Sequence, residues 1–339
     1  MNRPKASSII LVALTLLVLH GCAGIYSVVE FEVLEPATVS FPDHVSQLVI
    51  LNRAPFTLDA FQEEDRAEME PEHLVMLDTL ISNNTLRGLR SVLGESPIER
   101  FHTPFWLSER RTDTSSLDEL ILTKREVETI CSKYGGDAII SLESYTLNID
   151  EHHDYYKNAP GIIQNHYYEI SNSITWNIHL RNSPRPFDTY SMVDTLFYSD
   201  ILDGEFMTWT PPSTMIAELY YHSGSRYGRY LVPVWNHASR TLFKGKGDSL
   251  KLASKHTDRG EWEQAFDIWK ALAGSSDSIT SSKAYNNMAV YYELEDRLDS
   301  ASYMLDRALE SDSLELVKNY REELDIRLLN QKEVIEQVD

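Results

Sequence analysis

The chain has 339 residues, with 52 acidic side chains against 31 basic ones and a formal charge of −21. A hydrophobic fraction of 42% with 10% aromatics belongs to a folded protein, and the length suits two domains. So acidic a chain is repelled by nucleic acid and by anionic lipid surfaces, which excludes DNA or RNA as a partner.

Met1 to Ser8 carries Arg3 and Lys5 and no acid, and the eleven residues Ile9 to Leu19 are apolar except Thr15. As a helix that run rises about 16 Å, roughly half of a hydrocarbon core that needs ~20 residues. It suits the apolar region of a signal peptide rather than a membrane span. The following Leu19-His20-Gly21-Cys22 resembles the lipobox of bacterial lipoproteins: an aliphatic residue, a variable one, a small one, then cysteine. The resemblance implies a signal peptide over 1–21, acylation of Cys22 and a lipid anchor on the mature chain. Loss of Arg3 and Lys5 with the signal takes the charge to −23. Ala23 stands where an aspartate would resemble an inner-membrane retention signal, and Gly24 to Ser27 lacks the acidic run of a surface-export signal. For a Gram-negative source the expected address is the periplasmic face of the outer membrane. With Cys22 acylated only Cys131 remains, so no intramolecular disulfide forms.

The next stretch, 22–245, reads as an α/β domain. Val29, Phe31 and Val33 alternate with acids as a half-exposed strand, and Gln47 to Asn52 is a short buried strand. Gln62 to Glu70 reads as a loop and Glu72 to Leu93 as a helix, with Leu74, Leu77, Ile81, Leu89 and Val92 near helical spacing. Thr123-Lys-Arg-Glu126 is a capping-box pattern that opens a helix with the stripe Val127, Ile130, Cys131 and Tyr134. Gly135-Gly136 stops it, and Asp137 to Ile149 follows as a strand. Ile174, Trp176, Ile178 and Leu180 alternate with polar residues, Asn182 to Pro186 turns, and Phe187 to Tyr198 returns as the partner strand. Pro211-Pro212 precedes a helix over Thr214 to Tyr230, on which Ala217, Gly224 and Gly228 allow close backbone approach. Val232-Pro233 ends it.

Beyond a boundary near Leu242 to Gly247 strand-like alternation stops and helical periodicity takes over. Gly260 to Trp269 and Asp296 to Leu305 share a large apolar residue, alanine three positions on, and another large apolar residue four further. Ala265 and Ala301 lie 36 apart. The pattern resembles tetratricopeptide repeats, whose period is about 34. The resemblance implies an all-α repeat domain over 246–339, with Leu314, Val317, Tyr320, Leu324 and Leu328 as the seam of a capping helix. In place of the usual turn glycine stands Asp296. The expected fold class is therefore α+β: a mixed sheet with helices, then a helical repeat domain.

Glu35-Pro-Ala37, the strand Asp137 to Glu143 and the run through Trp262, Ala265 and Trp269 together resemble a family of uncharacterised lipoproteins from Bacteroidetes. The N-terminal half also resembles the small α/β domains of envelope assembly lipoproteins. If the first repeat helices line a groove, Lys283, Asn286, Val290 and Glu293 face or border it, and an envelope protein is the expected partner. An alternative is a carbohydrate-binding or hydrolytic site among Trp106, Trp176, His179 and Trp209. Glu151-His152-His153-Asp154 with His166 holds metal-ligand residue types, but adjacent histidines on an extended segment point apart, so a solvated loop is expected and no metal. No phosphate-binding loop, dinucleotide fingerprint, nucleophile elbow or zinc-protease helix occurs. No cofactor and no catalytic residue is expected.

Overall fold

The computed structural model describes residues 26–54, 71–109, 121–158, 161–199, 201–202, 205–206, 212–245 and 247–338. Its elements in chain order are β1 (Tyr26–Glu35), β2 (Leu48–Asn52), α1 (Pro71–Glu95), a 3₁₀ turn (Glu99–Phe101), β3 (Phe105–Ser108), α2 (Lys124–Tyr134), β4 (Ala138–Asn158) and β5 (Gly161–Leu180). There follow β6 (Asp188–Ser199), the short pair β7 (Ile201–Leu202) and β8 (Glu205–Phe206), α3 (Pro212–Leu231) and β9 (Val234–Phe243). The helices α4 (Asp248–Thr257), α5 (Trp262–Ala273), α6 (Ser278–Leu294), α7 (Leu298–Ser311) and α8 (Glu315–Val338) complete the chain. The fold class is α+β, as the pattern predicts. Cys22 and the signal segment, the Gln62–Glu70 loop and Trp209 lie outside the described residues.

Two compact units divide the chain, one of residues 1–35 with 235–335 and one of 36–234 with 336–339. In this division β1 and β9 both belong with the helices. β9 was not read from the sequence, because its alternation over Val234 to Phe243 is broken by Asn236, His237 and Ser239. Its last residues, Leu242 and Phe243, are nevertheless buried in the core of the helical unit with Leu250, Met288 and Val290.

The sheet unit carries five strands in the order β3-β2-β4-β5-β6. β2 runs parallel to β3 and β4, and β4, β5 and β6 are antiparallel. All of β2 is buried, because it has cover on both faces. Leu48 and Ile50 join the core under α1 and α3, whereas Val49 and Leu51 meet Val127, Ile130 and Cys131 of α2. The capping box of α2 forms as read, and Gly135 closes the helix in the left-handed conformation at φ 70°.

Glycines set the approach of α1 to α3. A Cβ on Gly224 would collide with the Thr85 carbonyl, one on Gly88 with the Tyr221 carbonyl, and one on Gly228 would lie 2.7 Å from Val92 Cβ. β4 and β5 form a hairpin of 21 and 20 residues, paired from Ala138↔Leu180 out to Asn158↔Gly161. The loop expected around His152 and His153 is thus strand: His152 stacks on Tyr167 at 4.7 Å, and such aromatic cross-strand pairs hold a polar segment extended.

In the helical unit the repeat alanines Ala265 and Ala301 are fully buried, as are Leu305 and Ala308. The predicted seam of α8 is the buried one at Val317, Tyr320 and Leu324. The turns before α5 and α7 both need a left-handed residue: Gly260 at φ 74° and, 36 positions on, Asp296 at φ 54°.

Candidate functional site

α6 is the helix expected to present a groove. It lies inside its unit, and Asn286, Val290 and Glu293 are at most 2% exposed. For Asn286 and Val290 the expectation of an open groove is corrected, for β9 fills the space they face, whereas Glu293, though buried, borders a cleft. Asn286 Nδ2 donates to the Thr241 carbonyl at 3.1 Å. Its neighbour Asn287 accepts from the Phe243 N–H at 2.8 Å and donates to the Phe243 carbonyl at 2.9 Å, so one side-chain amide replaces a strand partner. Lys283 is half-buried, with its ammonium 5.8 Å from the Phe243 ring centre.

Glu293 is the hub of this contact. Arg240 of β9 grips it twice, Nε to Oε2 at 2.8 Å and Nη2 to Oε1 at 2.9 Å. Arg327 Nη1 donates to Oε1 at 2.7 Å and the Tyr320 hydroxyl to Oε2 at 2.6 Å. Each carboxylate oxygen thus accepts two charge-assisted or hydroxyl bonds, the full complement of a buried carboxylate. Burial by itself would lower the pKa of Arg240, but the bonds and charge of Glu293 outweigh it and hold the guanidinium above its ordinary value. Arg327 reaches onward to Asp296 at 3.1 Å, which also accepts from Gln331 at 3.2 Å.

Beside this network lies a cleft of about 480 Å³, walled by Phe31 to Leu34 of β1, Trp235, Leu294, Arg327, Val334 and Ile335. Trp235 is 56% and Ile335 53% exposed at its margin. Neither residue was picked out from the sequence. The available signal was an aromatic at an outward position just after Pro233, and an isoleucine on the wet side of the α8 seam.

On the α2 face of the sheet unit, Arg53 pairs with buried Glu143 at 3.0 Å, and Ser141 donates to the same carboxylate at 2.6 Å. Burial, then the charge of Arg53, pushes His179 down to about 4 despite the opposing charge of Glu126. The Cys131 thiol is raised to about 11, chiefly by burial, which keeps it protonated at neutral pH. Of the alternative site at Trp106, Trp176, His179 and Trp209, the last lies outside the described residues, and the sheet separates His179 from Trp106 and Trp176. Trp176 lies in the core under α1 and α3, stacked on Tyr227 at 4.4 Å. His179, three positions on along β5, points to the opposite face. Among the described residues no group of three or more His, Cys, Asp and Glu side chains could hold a metal ion. Nor is any helix there long and apolar enough to cross a membrane.

The described residues thus form a two-unit α+β protein in which the Glu293 network lies beside a cleft of the helical unit. The family model described as "Domain of unknown function (DUF8603)" matches residues 45–243, more than half of the chain, and the chain belongs to that family. A second model, "Domain of unknown function (DUF6340)", matches residues 251–326, from α4 into α8. Curated proteins yield no match. Among solved structures, the PelC dodecamer from Paraburkholderia phytofirmans is 10% identical over 59% of this chain and 96% of that one, with a TM-score of 0.25. A neuraminyllactose-binding hemagglutinin homologue from Helicobacter pylori is 11% identical over 68% and 92%, with a TM-score of 0.26. At such scores neither likeness carries an argument.

Proposed function

We propose that the chain is a lipid-anchored envelope protein, held through Cys22 on the periplasmic face of an outer membrane, whose helical unit is a tetratricopeptide-type module that binds another envelope protein without catalysis of its own. The family reading is that of the Bacteroidetes lipoproteins it resembles. The observation that carries the binding role is the cleft beside Glu293. Exposed Trp235 and Ile335 stand over a base that the Arg240–Glu293–Arg327 network holds rigid. A large aromatic on a preorganised support is the usual anchor of a protein interface. The equivalent alanines and the equivalent left-handed turns at Gly260 and Asp296 support the repeat reading.

The test places a photo-crosslinking amino acid at Trp235 or Ile335 in the native lipoprotein, with Tyr303 and Leu316 as exposed controls outside the cleft. Discrete adducts at the two cleft positions alone are expected. Equal adducts at all four positions, or none, overturn the cleft as the binding site. Incorporation of labelled palmitate that Cys22→Ala abolishes is the expected result for the anchor.

A further inference from the structure

We propose that the face of the helical unit formed by α4 and the adjoining end of β9 is a membrane-contacting surface for anionic phospholipid headgroups. The proposal rests on acylation of Cys22. Covalent reach is its first support. Three residues of chain separate Cys22 from Tyr26, so the start of β1 lies within about 14 Å, four backbone steps, of the acylated residue. Tyr26 packs against Phe243, with ring centres 5.5 Å apart, so the end of β9 is brought to the tether. Chain connectivity then runs from Phe243 into α4, whose Leu250 sits in one buried cluster with Phe243.

Charge is the second support. α4 and its flanks carry Lys244, Lys251, Lys255 and Arg259 against Asp248 and Asp258. Alone among the helices of its unit, α4 is net positive, in a chain whose total is −21. Lys251, Lys255 and Arg259 are exposed, while Lys244 lies 3.8 Å from Asp258. Leu252 stands between the two lysines and is 49% exposed, and Tyr26, Val28 and Ile279 add exposed apolar surface in the same unit. Exposed charges more than about 10 Å apart are screened at physiological salt, so the acidity of the remainder does not cancel a local basic face at contact range. Lysines flanking an apolar side chain, held next to a lipid tether, match the chemistry of an anionic membrane surface. The faces of α7 and α8, both net negative, do not.

The test uses the chain from Ala23 onward, which retains every described residue and has no acyl group. It is floated with phosphatidylcholine vesicles with and without about 30 mol% phosphatidylglycerol, at about 50 mM and 500 mM salt. Expected is flotation that needs phosphatidylglycerol, is lost at high salt, and falls about fivefold for each lysine removed. Lys251→Glu with Lys255→Glu should abolish it, while Lys318→Glu with Lys332→Glu on α8 should leave it intact. Circular dichroism of both double variants establishes that they are folded. No phosphatidylglycerol-dependent flotation of the native sequence, or equal loss in both variants, overturns the proposal. Because this chain lacks Cys22, such a result leaves the acylation reading to its own labelling test.

Discussion

Arg240 and Glu293 join β9 to α6 through two parallel hydrogen bonds, and the Glu293 side chain is fully buried. A guanidinium matched to a carboxylate in this fork geometry resists substitution by lysine, which supplies a point charge and no fork. Glu293→Gln leaves Arg240 and Arg327 beside each other without their common anion. A loss of about 3–5 kcal/mol in urea unfolding is expected, the usual cost of breaking a buried pair from one side. Glu293→Asp, which keeps the charge but shortens the reach, should lose less.

His179 gives stability a pH dependence. Its folded-state pKa of about 4 lies below the ordinary 6.5, so the folded protein keeps it neutral where the unfolded chain takes up a proton. Stability is therefore full above pH 6.5 and falls as pH drops from there toward 4. Between pH 7.5 and pH 5 the expected loss is about 2 kcal/mol by denaturant titration. In a His179→Asn variant this part of the slope should vanish.

Gly224 is where α3 meets α1. Alanine there collides with the Thr85 backbone, not with a side chain that can turn away. Gly224→Ala is expected to cost more than the ~1–3 kcal/mol of ordinary overpacking, read as a lowered Tm. Gly94→Ala is the control: it sits on the same helix α1 with no atom near the added methyl, and should be neutral or stabilising.

Asp296 occupies a left-handed position at φ 54°, which aspartate tolerates and a β-branched residue does not. Asp296→Val loses both the Arg327 and Gln331 bonds and adds about 1–2 kcal/mol of backbone strain. Asp296→Gly relieves the strain and should lie between the native chain and Asp296→Val in thermal stability.

Local signals explain what the sequence discloses. Thr123 to Glu126, Gly135, the α8 seam and the buried strand β2 each declare themselves within a window of about ten residues, because capping and periodicity act over one or two turns. What escapes is long-range. The occupant of the α6 face is β9, about 45 residues upstream, and no helical spacing at Asn286, Val290 or Glu293 distinguishes a groove for a foreign protein from one filled by the chain itself. Trp176 and His179 look adjacent in sequence and are separated by the sheet, since odd spacing on a strand means opposite faces. The long hairpin was hidden because Asp, Asn and His depress strand propensity until a partner strand pairs with them.

The pairing of β1 with β9, seen also where Asn236 Nδ2 donates to Glu35 Oε2 across 201 residues of sequence, bears on how the chain is made. β1 emerges first in synthesis, yet the strand it must lie against comes some two hundred residues later, after the whole sheet unit. Until then Val29, Phe31 and Val33 have no β9 to cover them, and closing so long a loop is slow compared with hairpin formation. The β1–β9 pair therefore joins an early strand to a late one, and it can form only after some two hundred further residues have been made.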